Sequence, residues 1–158
     1  MINSKEQIIK TSDRNNVGCD QIIYIEKEVN NTFPITIYNS DSSPSTAYEA
    51  LMQRETLGAT GVGNGVAIPH ARLAGIEKVV GAFFKLDKPM DFSSVDRKPV
   101  DLIFALFAPE NAGVEHLKAL ALVSRTLRDD SMCSKLRANS NSTTMYAILT
   151  EKMEYKAA

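Results

Sequence analysis

Cysteine is scarce in this chain: Cys19 and Cys133 stand far apart, without metal-ligand spacing. That removes a disulfide framework and a thiolate metal centre, and it fits ordinary thiols in a reducing, cytoplasmic setting. Histidine is limited to His70 and His116, and no carboxylate pattern accompanies them, so a metal-dependent hydrolase is disfavoured and no metal or cofactor is expected. Charge of one sign is lacking too. A formal net charge of -1 with acids and bases interspersed leaves no electrostatic footprint for nucleic acid. No apolar run approaches the roughly 18 residues of a membrane span, and the N-terminus lacks a signal-peptide layout, so no membrane insertion is expected. There is no Gly-x-Ser-x-Gly elbow for a serine hydrolase. The length of 158 residues suits a single domain with its own core, and no internal repeat divides it.

What is present is concentrated between Gly58 and Arg72. Gly58, Gly61, Gly63 and Gly65 fall within eight residues and are followed by Val66-Ala67-Ile68, Pro69 and His70. Such glycines permit positive φ and close backbone approach, so the run reads either as a simple turn or as a loop presenting bare N–H groups to a phosphate or sulfate. It is not a P-loop, because Val66-Ala67 follows Gly65 where Lys-Ser/Thr is required. Nor does the glycine spacing match the dinucleotide fingerprint. Val66 to Ile68 reads as a brief buried strand, and Pro69 restricts the backbone that delivers His70 at its end.

Around this stretch the pattern is that of an α/β protein. A helix is expected from about Ser45 to Leu57, with Gly58 as its C′ residue, and it carries Arg54 towards the glycine run. Arg54 is either a solvated helix residue or a fork of donors for an anion. Val79 to Leu86 reads as a strand, Lys88 to Phe92 as a turn, and Arg72 to Glu77 as polar linker. Val100 to Ala108 is almost wholly apolar and ends at Pro109, the mark of a central strand buried on both faces. Val114 to about Arg128 reads as a helix with Leu117, Leu120, Ala121, Ser124 and Leu127 on its buried stripe, broadened by Leu122 and Val123. His116 falls in its first turn, beside the stripe, as a surface residue or as a partner for His70. A short helix is expected from Met132 to Ala138 behind the cap Asp129-Asp130-Ser131, then one from Thr144 to about Met153 with Met145, Ile148 and Leu149 inward and a frayed end. Residues 1–44 are polar with short apolar bursts, including Ile22 to Ile25 and Phe33 to Tyr38. They read as a poorly packed extension or as strands on a sheet edge.

Neutral imidazole is nucleophilic, so His70, with Arg54, His116 and loop amides around it, can accept a phosphoryl group without a metal. The run Arg54 to His70, with Lys98 to Pro109, Glu115 to Val123, Leu127, Cys133 and Leu136-Arg137, resembles the phosphotransferase-system EIIA domains of the mannitol/fructose class. The likeness is strongest to the nitrogen-regulatory branch and spans about residues 45–153. It implies a three-layer α/β/α sandwich on a mixed sheet, with residues 1–44 as a divergent segment lacking the family's long amphipathic helix and 45–158 as the EIIA-type domain. It implies that His70 is phosphorylated, that Arg54 and His116 support the phosphate, and that Thr60, with Gly61, lies beside it. A phosphotransfer protein rather than a stand-alone turnover enzyme is implied. The donor would be an HPr-like phosphocarrier, and the recipients regulatory target proteins or, in a sugar-uptake role, an EIIB domain. A non-catalytic anion- or protein-binding module is the alternative of another class. Val62, Val66, Ala71 and Leu73 are the expected docking surface, and homodimerisation is left open.

Overall fold

The computed structural model describes residues 21–24 and 44–157. Its ten elements are, in chain order, β1 (Gln21–Tyr24), α1 (Pro44–Thr56), β2 (Gly61–Gly63), β3 (Val66–Ala67), β4 (His70–Leu73), β5 (Val80–Met90), β6 (Val100–Pro109), α2 (Val114–Leu127), α3 (Asp130–Ala138) and α4 (Ser142–Ala157). The strands form one mixed sheet in the order β1-β5-β6-β3-β2, with β4 also paired to β6. β1 adds to the sheet edge in parallel with β5, as the Ile22 burst suggests. The expected strand at Phe33–Tyr38 and the fate of the missing amphipathic helix lie outside the described residues.

β6 is the central strand that its apolar run predicts, because every residue from Leu102 to Pro109 is buried. Alternation of side chains across the pleat divides it between two cores. Leu102, Phe104, Leu106 and Ala108 pack with Leu122, Val123 and Leu127 of α2, Met132, Cys133 and Leu136 of α3, and Met145 and Leu149 of α4. Ile103, Ala105 and Phe107 face the other way and pack with Ala47 of α1, Ala71, Leu73, Ala82 and Phe84. The result is an α/β/α sandwich on a mixed sheet, with α1 on one face and three helices on the other.

The chain around Pro69 departs from expectation. The strand does not end at His70; His70 starts β4, whose Ala71 and Leu73 are buried. β3 and β4 both run parallel to β6, with Val66 opposite Leu102 and His70 opposite Leu106. Pro69 has no N–H to donate, so it interrupts the ladder, yet its carbonyl still accepts from Leu106 N at 2.9 Å. β3 and β4 are therefore one strand with a proline jog, and Arg72 and Leu73 belong to it rather than to a linker. Likewise β5 continues through Met90 where a turn was expected, and α4 runs to Ala157.

α2 is also rotated from the predicted stripe. His116, Ala119, Leu122, Val123, Thr126 and Leu127 are buried, whereas Leu117 is 65% exposed. The leucine-rich helix offers two overlapping stripes at helical spacing, and the winning one starts at His116. α3 begins as its sequence suggests: the Asp129 carboxylate accepts from Ser131 N and Met132 N at 3.1 and 3.2 Å. Its C-terminal carbonyls, those of Arg137 and Asn139, are held by Lys85 Nζ from β5 at 2.7 and 2.6 Å.

Candidate functional site

The glycine run folds into a hairpin, not an open cradle. β2 and β3 pair antiparallel across Asn64-Gly65, and both turn residues have positive φ, 54° and 75°, the backbone that a two-residue hairpin requires and that Asn-Gly supplies. The tip is bonded to the rest of the protein. Asn64 N donates to Asp96 Oδ2 at 2.9 Å, and the Gly65 carbonyl accepts from Asp101 N and Leu102 N. Arg137 makes a fork to Asp101 at 2.7 Å on both oxygens and donates to the Asn64 carbonyl at 2.8 Å. The backbone amides of Asn64 and Lys98 hold the Asp96 carboxyl below its usual range, and hydrogen bonding to Asp101 pushes the Arg137 guanidinium up. Gly61 is required for close approach: a Cβ there would meet Ser94 Cα at 2.8 Å.

Thr60 and Arg54 serve the same loop. Thr60 N and Oγ1 both donate to the Glu55 carboxylate, at 2.8 and 2.5 Å, and Thr60 O accepts from Ile68 N. Thr60 therefore has its donors engaged, and Glu55, which sequence reasoning passed over, is what engages them. Arg54 Nη1 donates to the Gly58 carbonyl at 3.1 Å. No bond or ion pair joins Arg54 to His70 or His116 among the described residues.

The two histidines do converge. β4 delivers His70, the first turn of α2 delivers His116, and their ring centroids are 5.8 Å apart in an edge-on arrangement with 64° between planes. His70 is half-buried, and its Nδ1 lies 3.0 Å from the Ile68 carbonyl. A carbonyl can only accept, so Nδ1 carries the proton, and in the neutral ring the lone pair is on Nε2. The Pro69 carbonyl is the one bonded to Leu106 N of β6, so the Ile68 carbonyl points to the other side of the strand, where the side chain two residues on meets it. His116 is 7% exposed, and its Nδ1 is buried without a partner among the described residues. Burial first, then the neighbouring His70 and Arg72, pushes the His116 pKa below its ordinary value, so at neutral pH the ring is uncharged. Gly113 provides no side-chain cap to α2, so the partial positive end of that helix stands on the same rim as His116.

Two further features were missed. Arg72 was read as linker but lies on β4 with the same alternation as His70, and its Nη1 donates to the Glu110 carbonyl at 2.7 Å. The period-two pattern of His70-Ala71-Arg72-Leu73 was the available signal. The expected docking surface is also corrected: Val66, Ala71 and Leu73 are buried and Val62 is partly buried. The exposed apolar residues beside His116 are Val114 and Leu117 of α2, at 59% and 65%. Cys133 is a structural thiol, buried and donating to the Leu127 carbonyl at 3.1 Å; burial raises its pKa. Among the described residues no cluster could hold a metal ion, and no helix is long and apolar enough to cross a membrane.

A mixed sheet between α1 and α2–α4, with two histidines meeting at the rim between a strand and a helix, is the architecture of an EIIA domain. Residues 36–152 match the family described as phosphoenolpyruvate-dependent sugar phosphotransferase system, EIIA 2, and the chain belongs to that family. Among its relatives, the nitrogen regulatory protein of Bradyrhizobium diazoefficiens is 54% identical over 102 residues, covering 65% of this chain and 67% of the relative. The nitrogen regulatory protein of Escherichia coli K12 is 41% identical over 109 residues, covering 68% and 67%. The crystal structure of nitrogen regulatory protein IIA-Ntr from Neisseria meningitidis superposes with a TM-score of 0.67 at 34% identity, covering 82% of this chain and 92% of that one. IIA mannitol of Escherichia coli shares the fold, with a TM-score of 0.55 at 21% identity over 68% and 75% of the two chains.

Proposed function

We propose that this protein carries a phosphoryl group on Nε2 of His70, accepts it from an HPr-like phosphocarrier of a nitrogen-related phosphotransferase branch, and signals its phosphorylation state to regulatory partner proteins. The observation that carries the reading is the bond between His70 Nδ1 and the Ile68 carbonyl, beside the buried ring of His116. In the transfer step the Nε2 lone pair forms the new N–P bond while the donor's bond to phosphorus breaks, its electron pair returning to the donor. His70 keeps its Nδ1 proton on Ile68 O throughout. Transfer of this kind is mostly positioning and charge stabilisation. Uncharged His116 supplies an imidazole edge without repelling His70, and the α2 N-terminus favours the incoming negative charge. Arg54, one bond from the Gly58 carbonyl, retains N–H groups for the same task; Thr60 and Gly61 hold the loop beside the site. Val114 and Leu117 give the donor an apolar surface against which to dock.

The regulatory assignment rests on the nitrogen regulatory relatives. A fructose-specific EIIA component of Haloferax volcanii, 35% identical over 108 residues, favours a second reading in which the phosphoryl group passes to an EIIB domain. Side-by-side labelling by nitrogen-branch and sugar-branch donor systems separates them. Faster phosphorylation by the nitrogen-branch donor supports regulation; faster labelling by the sugar-branch donor, with onward transfer to EIIB, supports uptake. A chain that binds inorganic phosphate yet gains no covalent label from either is the non-catalytic module instead.

A further inference from the structure

We propose that Arg72 is a second cationic contact for the phosphoryl group on His70, with its guanidinium braced on the Glu110 carbonyl so that its remaining N–H groups meet the phosphoryl oxygens. The proposal deepens the phosphocarrier reading and rests on it for its biological setting, but its chemistry is testable separately. On β4 the residues Ala71 and Leu73 face the core under α1, so His70 and Arg72 share the opposite, α2-facing side. Two residues of strand separate them by about 6.6 Å. Arg72 is exposed at this rim, and its one bond among the described residues uses Nη1 alone, at 2.7 Å to Glu110 O. Glu110 directly follows β6 and precedes the first turn of α2, the turn that holds His116. The brace therefore fixes the guanidinium over the gap between the two histidine-bearing elements, close enough to His116 to disfavour a charge on that ring. A cation held there before transfer needs no reorganisation when charge spreads over the three phosphoryl oxygens. Arg54 lies in the last turn of α1, where the Gly58 carbonyl takes one of its donors. The two arginines would thus approach from different elements.

The test uses the full chain with two phosphoryl donors: the purified nitrogen-branch carrier system and potassium phosphoramidate, a small donor that makes no protein interface. With phosphoramidate, His70 Nε2 forms the N–P bond, the donor P–N bond breaks, and nitrogen departs with its electron pair as ammonia. Intact-mass rates are compared for the native chain, Arg72→Gln, Arg72→Lys and His70→Ala, each corrected for its folded fraction. Arg72→Gln is expected to slow labelling by about tenfold or more with both donors, Arg72→Lys to recover part of the rate, and His70→Ala to remain unlabelled. The His116 titration, followed by NMR, should move upward in Arg72→Gln and much less in Arg72→Lys, which reports whether a cation stands beside the ring. Equal phosphoramidate rates for native and Arg72→Gln would overturn the proposal. If slowing then occurred only with the carrier protein, Arg72 would be a docking residue. Phosphoramidate labelling of the native chain without any labelling by protein donors would instead remove the phosphocarrier reading and leave Arg72 judged by its own rate. No label on the native chain from either donor would overturn both.

Discussion

Replacing Gly65 by alanine separates the hairpin from the anion cradle that its glycines suggest. Gly65 has φ of 75°, and a Cβ there would lie 2.7 Å from Arg137 Nη2 and 2.8 Å from Asp101 Oδ1. The left-handed backbone costs a non-glycine residue about 1–2 kcal/mol. Arg137 can swing aside, but doing so loosens a fork that is partly exposed and so is worth at most about 1 kcal/mol. The expected total is about 1–3 kcal/mol, or about 2–12 °C in the thermal midpoint of a chain this size. Chemistry should be spared. Val66 is opposite Leu102 and His70 opposite Leu106, so about 13 Å of strand lies between the hairpin tip and the nucleophile. Calorimetry should show the lower midpoint, while the folded variant should accept a phosphoryl group within about twofold of the native rate, the spacing placing its strain well away from the reacting atoms. An unchanged midpoint would refute the hairpin account; loss of labelling in a folded variant would restore the cradle.

Stability should also depend on pH through His116. Its folded pKa lies below the unfolded value near 6.5, so the unfolded chain binds more protons in that window. The stabilisation is present above 6.5 and lost as pH falls through the folded value, and His116→Gln should flatten that part of a urea-stability profile; an unchanged slope would count against a buried neutral His116. Arg137→Lys keeps the charge but loses the fork to Asp101, and should lower stability by about 1 kcal/mol in urea titrations. Gly81→Ala would put a Cβ 2.6 Å from Cε1 and Cζ of the buried Phe104 ring, and overpacking of this kind should cost about 1–3 kcal/mol in denaturant unfolding.

The elements that the sequence made legible are those in which one physical signal dominates. β6 announced itself because a strand buried on both faces has no polar alternation to confuse it, and α3 because the Asp129 carboxylate can cap only a helix that starts on its C-terminal side. The convergence of His70 and His116 was readable from a strand-derived and a helix-derived histidine together with the family motif. Other features depended on tertiary choice. α2 has two apolar stripes, and only packing against the sheet selects the one that buries His116 and exposes Leu117. β4 was hidden because Pro69 read as a strand end and the charge of Arg72 as linker, although parallel pairing to β6 absorbs both. The glycines between Gly58 and Gly65 permit a cradle or a hairpin equally; Asp96, Asp101 and Arg137, all distant in sequence, decide for the hairpin.

The most direct test is the imidazole nitrogen spectrum of the chain after phosphorylation. The account predicts one phosphohistidine, at His70, with phosphorus on Nε2 and the Nδ1 proton retained, and none in His70→Ala. Phosphorus on Nδ1, or on His116, would contradict it.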